Sequence, residues 1–470
     1  MDSTQTHLNH QHLSQEQGGS LKKVLGFWSL LAAGIGSVAA QSSFVSLLNG
    51  AGLGGGTFFV AIFLAFLLTL CYCFSFLELS LMMPKAGGLG TYTSVASGNF
   101  ISIGVVLGGY ILVMPFNGPA ELMLLERIVD MVYPGSFSHL GLIVLLLFTT
   151  LNFFGINIFA SVQNVLVYIL LVALLVIGVT GFYGVDAKGI DVNTIGEQLA
   201  GSGLSMISLL ALALWSFAGL EYMCPLIEES KNPVRDLPRA MMVATALLLL
   251  VYGLIAFGAM RHVPADQLKS SELPHWLLVE SMFGKSAGFV MVVFAITATS
   301  SVANTVIASL PRVLFGMALR GQVPSMFTRL HSKWNTPWVG IIFISALIGI
   351  PLVLLAGKKD LILLLLLSAA TFWLVAYMVA HLVVILLRRK YPDQKRPFKT
   401  PLYPLPQILG ILAMGYAIWY NSPSPEISRQ VYLNSALMFT LISVYAFFWV
   451  KYKMKKGLLE AEPMEDIVAN

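Results

Sequence analysis

The chain has 470 residues, of which 57% are hydrophobic and 11% charged, with a net charge of +5 and a mean hydropathy of +0.80. Ordinary soluble domains carry about 25% charged residues, so this composition excludes a water-soluble enzyme or binding module and marks an integral membrane protein. No basic soluble domain is present to bind nucleic acid, and no metal-ligand spacing, nucleotide loop or histidine-paired nucleophile is present, so neither cofactor, metal nor catalysis is expected.

In chain order, residues 1–20 read as a disordered polar tail without the basic-then-apolar order of a signal peptide. His7, His10 and His12 there have no Cys partner and, in a flexible segment, are not expected to hold a metal. Apolar stretches long enough to cross about 30 Å of hydrocarbon then recur about twelve times, near 27–48, 57–82, 101–130, 140–156, 160–182, 204–227, 239–260, 286–317, 337–356, 361–388, 403–420 and 433–450. Cys71, Cys73 and Cys224 fall inside these spans and are expected to pack as small apolar residues.

The first span is interrupted by Ala33-Gly34-Ile35-Gly36-Ser37 and the sixth by Phe217-Ala218-Gly219. In a bilayer, unsatisfied backbone is too costly to survive unless it lines a protein cavity. Matched interruptions in two halves of a chain point to the binding site of a transporter. The competing reading of these glycines is close helix packing.

At the end of the second span, Glu78 is expected to face the bundle or the cytoplasmic end, since a lipid-facing carboxylate would be costly. In the third span Asn117 and Glu121 flank Pro119, which loosens the helix by removing a backbone donor. Glu121 suits a cationic group or a pairing with Arg127. On the sixth span Trp215, Phe217 and Tyr222 offer aromatic faces to a solute or a cation. Glu221, just beyond the break, suits either a proton-taking gate or a structural carboxylate bonded to the opened backbone. The run Glu228 to Arg239 is either a solvated loop or a latch of breakable ion pairs. Span 8 offers Thr297, Thr299, Ser300, Ser301, Asn304 and Thr305, enough oxygens for a sodium site, although such hydroxyls more often bond their own backbone. His381 in span 10 stands alone and reads as a packed or hydrogen-bonded residue.

With the N-terminus inside, only Arg127, Lys188, Arg261, Lys269, Lys285, Lys358, Lys359 and Arg429 of the 28 Lys and Arg residues fall outside. That asymmetry places both termini in the cytoplasm. Short loops suggest a bacterial inner membrane.

Six stretches together resemble the amino acid/polyamine/organocation transporter superfamily: Gly34-Ile35-Gly36-Ser37, Glu78-Leu79 through Pro84 with Gly87-Gly88, Trp215 to Glu221, Glu229-Ser230-Lys231-Asn232-Pro233, Arg312-Val313-Leu314 with Gly321 and Pro324, and Arg396 to Pro404. The resemblance spans Leu21 to Tyr452. It implies an all-α membrane fold of about twelve helices in a LeuT-like five-plus-five inverted repeat, with helices 1 and 6 broken. Residues 21–182 would form the first repeat, 183–203 an extracellular loop, 204–390 the second repeat, 391–452 helices 11 and 12, and 453–470 a cytoplasmic tail. It further implies secondary transport of an amino acid or related amine by alternating access, proton-coupled or by exchange. Sodium-coupled symport of an organocation, or a sensor or channel on the same scaffold, is the alternative. The expected partners are the small solute and the lipid bilayer, with the chain a monomer or homodimer. The substrate would contact Ala33, Gly34, Ile35, Gly36, Ser37, Asn117, Glu121, Trp215, Phe217, Ala218, Gly219 and Tyr222, with Glu221 in gating. Val38 stands where the family often has another glycine. Leu170 stands where many members keep a lysine between helices 1, 5 and 8.

Overall fold

The computed structural model describes residues 21–137, 139–184, 192–200, 209–355, 358, 361–422 and 424–468. The tail expected over 1–20 and part of the loop expected over 183–203 lie outside the described residues. The helices are α1 Phe27–Val38, α2 Gln41–Gly54, α3 Phe58–Met82, α4 Leu89–Ser97, α5 Asn99–Val106, α6 Met114–Val132, α7 Leu140–Phe153, α8 Ile156–Tyr183, α9 Val192–Ala200, α10 Leu210–Ser216, α11 Pro233–His262, α12 Ala265–Ser270, α13 Pro274–Phe283, α14 Ala287–Leu319, α15 Trp338–Leu354, α16 Ile362–Lys390, α17 Leu405–Trp419, α18 Pro425–Phe448 and α19 Met464–Val468. A 3₁₀ segment, Leu220–Glu229, follows α10. Among the described residues the sole β element is an isolated bridge between Leu25 and Ser230.

Eight helical segments among the described residues are long and apolar enough to cross a membrane, and four shorter apolar helices, α1, α7, α15 and α17, accompany them. Helix α8 shows why. Its buried side follows the helical repeat through Phe159, Gln163, Val167, Leu170 and Leu174, yet its outer side is Val165, Ile169, Val172, Val176 and Val179. A helix apolar all round suits a hydrocarbon solvent on one face and protein on the other.

Helix α14 is the central mast. Its 33 residues would span about 50 Å at 1.5 Å per residue, and every residue from Thr297 to Ala318 is buried. Where α8 crosses α11, Gly181 and Gly258 let the backbones meet, since a Cβ on Gly181 would lie 2.8 Å from Gly258 Cα.

Glu78 does face the bundle. Its carboxylate takes Arg388 Nε at 2.8 Å and Nη2 at 2.7 Å, accepts from Thr400 N at 2.8 Å, and has Arg396 Nε 3.2 Å away. A forked arginine grip of this kind is among the stronger charge-assisted bonds, and it ties α3 to α16 and to the connection before α17. His381 is hydrogen-bonded, its Nδ1 lying 2.9 Å from Ser75 Oγ.

The C-terminal residues fold back on an early part of the chain. Glu462 N donates to Ser94 O at 3.0 Å, and Phe100 N donates to Leu458 O at 3.3 Å. The Glu462 carboxylate takes Asn99 Nδ2 at 2.5 Å and Lys456 Nζ at 2.6 Å. Burial pushes that carboxyl up, but the hydrogen bonds from Lys456 and Asn99, with the nearby charges, outweigh it and leave it below its ordinary value. Gly98, at φ 89°, is required there, because a Cβ would sit 2.7 Å from the Leu459 carbonyl carbon.

Candidate functional site

Two interrupted rods meet at the centre. The sixth-span break falls where the sequence places it. Helix α10 stops at Ser216, Gly219 takes φ 125° and ψ −11°, and the chain resumes as 3₁₀ at Leu220. Only glycine adopts that conformation without strain. The first-span break is displaced from the expected Ala33-Gly34-Ile35-Gly36-Ser37: α1 runs unbroken through all five and the chain opens at Ala39 and Ala40. Both have negative φ, −78° and −83°, which any L-residue can adopt, so no glycine is needed there.

The glycines instead admit neighbours. A Cβ on Gly36 would lie 2.1 Å from Gln163 Nε2 and 2.5 Å from Ser301 Oγ, and one on Gly34 would lie 2.5 Å from Met223 Cε. Gln163 is pinned by several bonds, whereas a methionine end is soft. Gly36→Ala is therefore expected to cost about 1–3 kcal/mol, and Gly34→Ala clearly less. Thermal unfolding of the purified variants in one detergent checks this, and equal midpoints for the two would refute it. Ala33 and Ile35 are wholly buried in the same packing.

The two breaks are bonded to each other. Ser37 Oγ shares its proton between Gly34 O and Gly219 O, 2.8 Å from each. Ser216 Oγ donates to Ser43 O at 3.1 Å. Beside them lies a void of about 10 Å³, the room of one water, lined by Ser37, Ala40, Ser42, Ser43, Met114, Asn117, Trp215, Ala218, Tyr222, Val302, Val306 and Trp373. Asn117 Oδ1, Trp215 Nε1 and Tyr222 OH are buried there without a protein partner. Buried polar atoms are almost always satisfied, so these three are left to be met by a water or a solute. Ser37, Asn117, Trp215, Ala218 and Tyr222 of the expected set thus meet at one cavity. Phe217 packs its ring on Tyr252 instead, at 5.2 Å and 75°, and Gly219 contributes backbone alone.

Glu221 lies on the far side of Tyr222. It lines a second void of about 10 Å³ with Phe76, Gly88, Leu89 and Tyr110, and Tyr222 borders both. Its carboxylate accepts from Trp373 Nε1 at 2.6 Å and Tyr377 OH at 2.5 Å, while Tyr377 OH accepts from Gly219 N at 3.0 Å. Tyr72 stacks on Tyr377 at 4.5 Å and donates to Phe217 O at 2.7 Å. The opened backbone of the second rod is therefore held by tyrosines on α3 and α16. Trp373 and Tyr377, four apart on α16, were missed by the sequence reading. Their one visible signal is a polar-edged aromatic pair in an otherwise aliphatic run.

Glu121 does not pair with Arg127, which bonds Glu272. It caps α2, accepting from Ser42 N at 2.9 Å and Gln41 N at 3.2 Å. The position between α1, α8 and α14 is filled by Gln163 rather than Leu170, which is buried among apolar neighbours. Gln163 Nε2 donates toward Ala32 O at 3.2 Å, Ser301 Oγ at 3.0 Å and Ser301 O at 3.3 Å, and its Oε1 accepts from Asn304 Nδ2 at 2.8 Å. Thr297 bonds its own helix, at 2.7 Å from Val293 O.

At the end where the described chain begins, Glu229 and Arg312 form a buried two-point ion pair. Val24 N and Leu25 N both donate to Glu229 O at 2.8 Å, Lys231 N to Leu25 O at 2.8 Å, and Ala86 N to Glu228 Oε1 at 2.8 Å. Glu228 and Glu229 of the charged run after the second rod are thus tied in, while Lys231, Arg235 and Arg239 stay exposed.

Comparison with known proteins places the chain in a family. The family model described as amino acid permease matches residues 25–446. The chain is 26% identical to a branched-chain amino acid permease of Bacillus subtilis over 84% of this chain and 87% of that protein. It is also 26% identical to a serine/threonine exchanger of the same organism, over 84% and 90%, and 24% identical to its glutamate/serine transporter, over 93% and 83%. The chain belongs to the amino acid permease family of the amino acid/polyamine/organocation superfamily, and is a membrane transporter, not an enzyme.

Proposed function

We propose that the protein is a secondary active transporter that moves an amino acid or related amine by alternating access, with the solute held between the two breaks. The observation that carries this is the small void lined by Asn117, Trp215 and Tyr222, whose Oδ1, Nε1 and OH are buried without a protein partner. Half-helices that begin or end at such breaks direct N–H or carbonyl dipoles into the cavity. A 10 Å³ void admits no amino acid, so its walls must part for each solute, as a carrier requires and an open pore does not. The eight long segments and four shorter helices support a reading of twelve crossings, with α1–α2 and α10 with its 3₁₀ extension as the broken members of two inverted repeats. The basic asymmetry of the loops supports both termini in the cytoplasm, and bacterial relatives support an inner membrane. Relatives named for amino acid permeation and exchange support the solute class.

Glu221, joining the second void to the broken backbone, is the group placed to gate or to carry a proton. Sodium coupling is disfavoured by Gln163, whose amide nitrogen already bridges the α1 carbonyl and the α14 serine that a sodium ion would share. Purified protein in proteoliposomes is expected to show saturable counterflow, with uptake stimulated by the same solute loaded inside and unchanged when NaCl is replaced by KCl. Flux without trans-stimulation would mean a channel, and loss of uptake in KCl would restore the sodium reading.

A further inference from the structure

The chain supplies its own carboxylate to the opening amides of α2, where a solute's carboxylate could otherwise bind. Helix α2 begins beside the void, since Ala40, Ser42 and Ser43 line it. The opening amides of a buried helix require an acceptor, and the positive dipole end favours an anion. Glu121, only 2% exposed, meets that demand on Gln41 N and Ser42 N. Gln41 is itself locked, its Nε2 donating to Thr299 Oγ1 at 2.7 Å. An amino acid whose carboxylate sought this end would have to expel Glu121 and leave two carboxylates side by side in a dry site, which like-charge repulsion opposes.

A solute without a carboxylate meets no such rival. One helical turn before Glu121, on the same face of α6, lies Asn117, 6% exposed and with Oδ1 unpartnered, an acceptor for an ammonium. Across the void Trp215, Tyr222 and Trp373 stand edge to face, with Trp373 5.7 Å from Trp215 and 5.4 Å from Tyr222. Such ring faces attract a desolvated cation. An unpartnered acceptor and aromatic rings match an ammonium, and the amides already taken by Glu121 are closed to a carboxylate, so the site fits an amine and not a zwitterion.

We propose that the solute is a primary amine lacking an α-carboxylate, with Glu121 acting as a built-in stand-in for the missing group. This rests on the carrier reading above. The test uses the full chain in proteoliposomes and matched pairs that differ by the carboxylate alone: ethanolamine against serine, isobutylamine against valine, putrescine against ornithine. In the wild type at least one amine is expected to drive counterflow at least tenfold better than its amino acid. Glu121→Ala, by baring the two amides, is expected to shrink that ratio at least tenfold through a rise in amino acid uptake. Should the variant fail to fold, thermal shift of the wild type decides, the amine raising the midpoint and its amino acid leaving it unchanged. A wild-type preference for the amino acids, or an equal loss of both in Glu121→Ala, overturns the proposal and leaves the carrier standing. Counterflow by no compound of the set overturns both.

Discussion

Replacing Glu221 by leucine is expected to abolish transport and lower thermal stability sharply. Its carboxylate satisfies two buried donors, Trp373 Nε1 and Tyr377 OH. Leaving each unmet costs about 1–3 kcal/mol, against a net folding stability of about 5–15 kcal/mol. The loss propagates, because Tyr377 also receives the Gly219 amide and stacks on the Tyr72 that holds Phe217 O. Glu221→Gln separates the roles. The amide keeps one acceptor but turns an NH₂ toward the other donor, so stability should fall by only about one lost bond, near 1 kcal/mol. If Glu221 takes and releases a proton in the cycle, this variant should also lose the pH dependence of counterflow. Counterflow and unfolding midpoints measured on both variants give the answer. A fully active Glu221→Leu would end the assignment, and a Gln variant that keeps the wild-type pH profile would reduce Glu221 to a structural clamp.

The second large effect is at the buried pair of Arg312 and Glu229. Arg312→Leu strands a carboxylate in an apolar setting and is expected to cost about 3–5 kcal/mol, enough to remove most folded protein. The double substitution Glu229→Leu with Arg312→Met removes both charges, and such exchanges are neutral or stabilising by about 1–4 kcal/mol. Folding should therefore return in the double variant while transport stays impaired, because a tie that can open by hydrating two charges has become greasy contact that cannot. Yield and thermal midpoint read the first effect, and counterflow reads the second. Full transport in the double variant would show that the pair holds the fold and takes no part in gating.

The sequence and the structure part company for physical reasons. The break before Leu220 was legible because Gly219 must adopt a positive φ, so the glycine and the break coincide. The other break was misplaced by a few residues because Ala39 and Ala40 open within ordinary backbone space and carry no mark. The nearby Gly34 and Gly36 exist for Met223 and Gln163. Gln163 was passed over in favour of Leu170 because α8 is apolar on both faces and its rotation cannot be set from hydrophobicity. Asn117, Trp215, Ala218, Tyr222 and Ser37, which line the central void, could be singled out because each sits within a turn or so of a break or of a loosened helix. Trp373 and Tyr377 reach the site from far along the chain, and nothing local ties them to it. Glu78 was expected to face inward, yet its partners Arg388 and Arg396 are set by a tertiary crossing no spacing rule encodes.

The contact between Glu462 and Ser94 has a consequence for how the molecule is made. Ser94 and Asn99 leave the ribosome long before Leu458 and Glu462, the residues that fasten this corner, are translated. Until then Gly98 lacks the backbone cover of Leu459 and Glu460. One corner of the fold is therefore closed by a late-arriving segment, and truncation ahead of Leu458 would bare the end of α4.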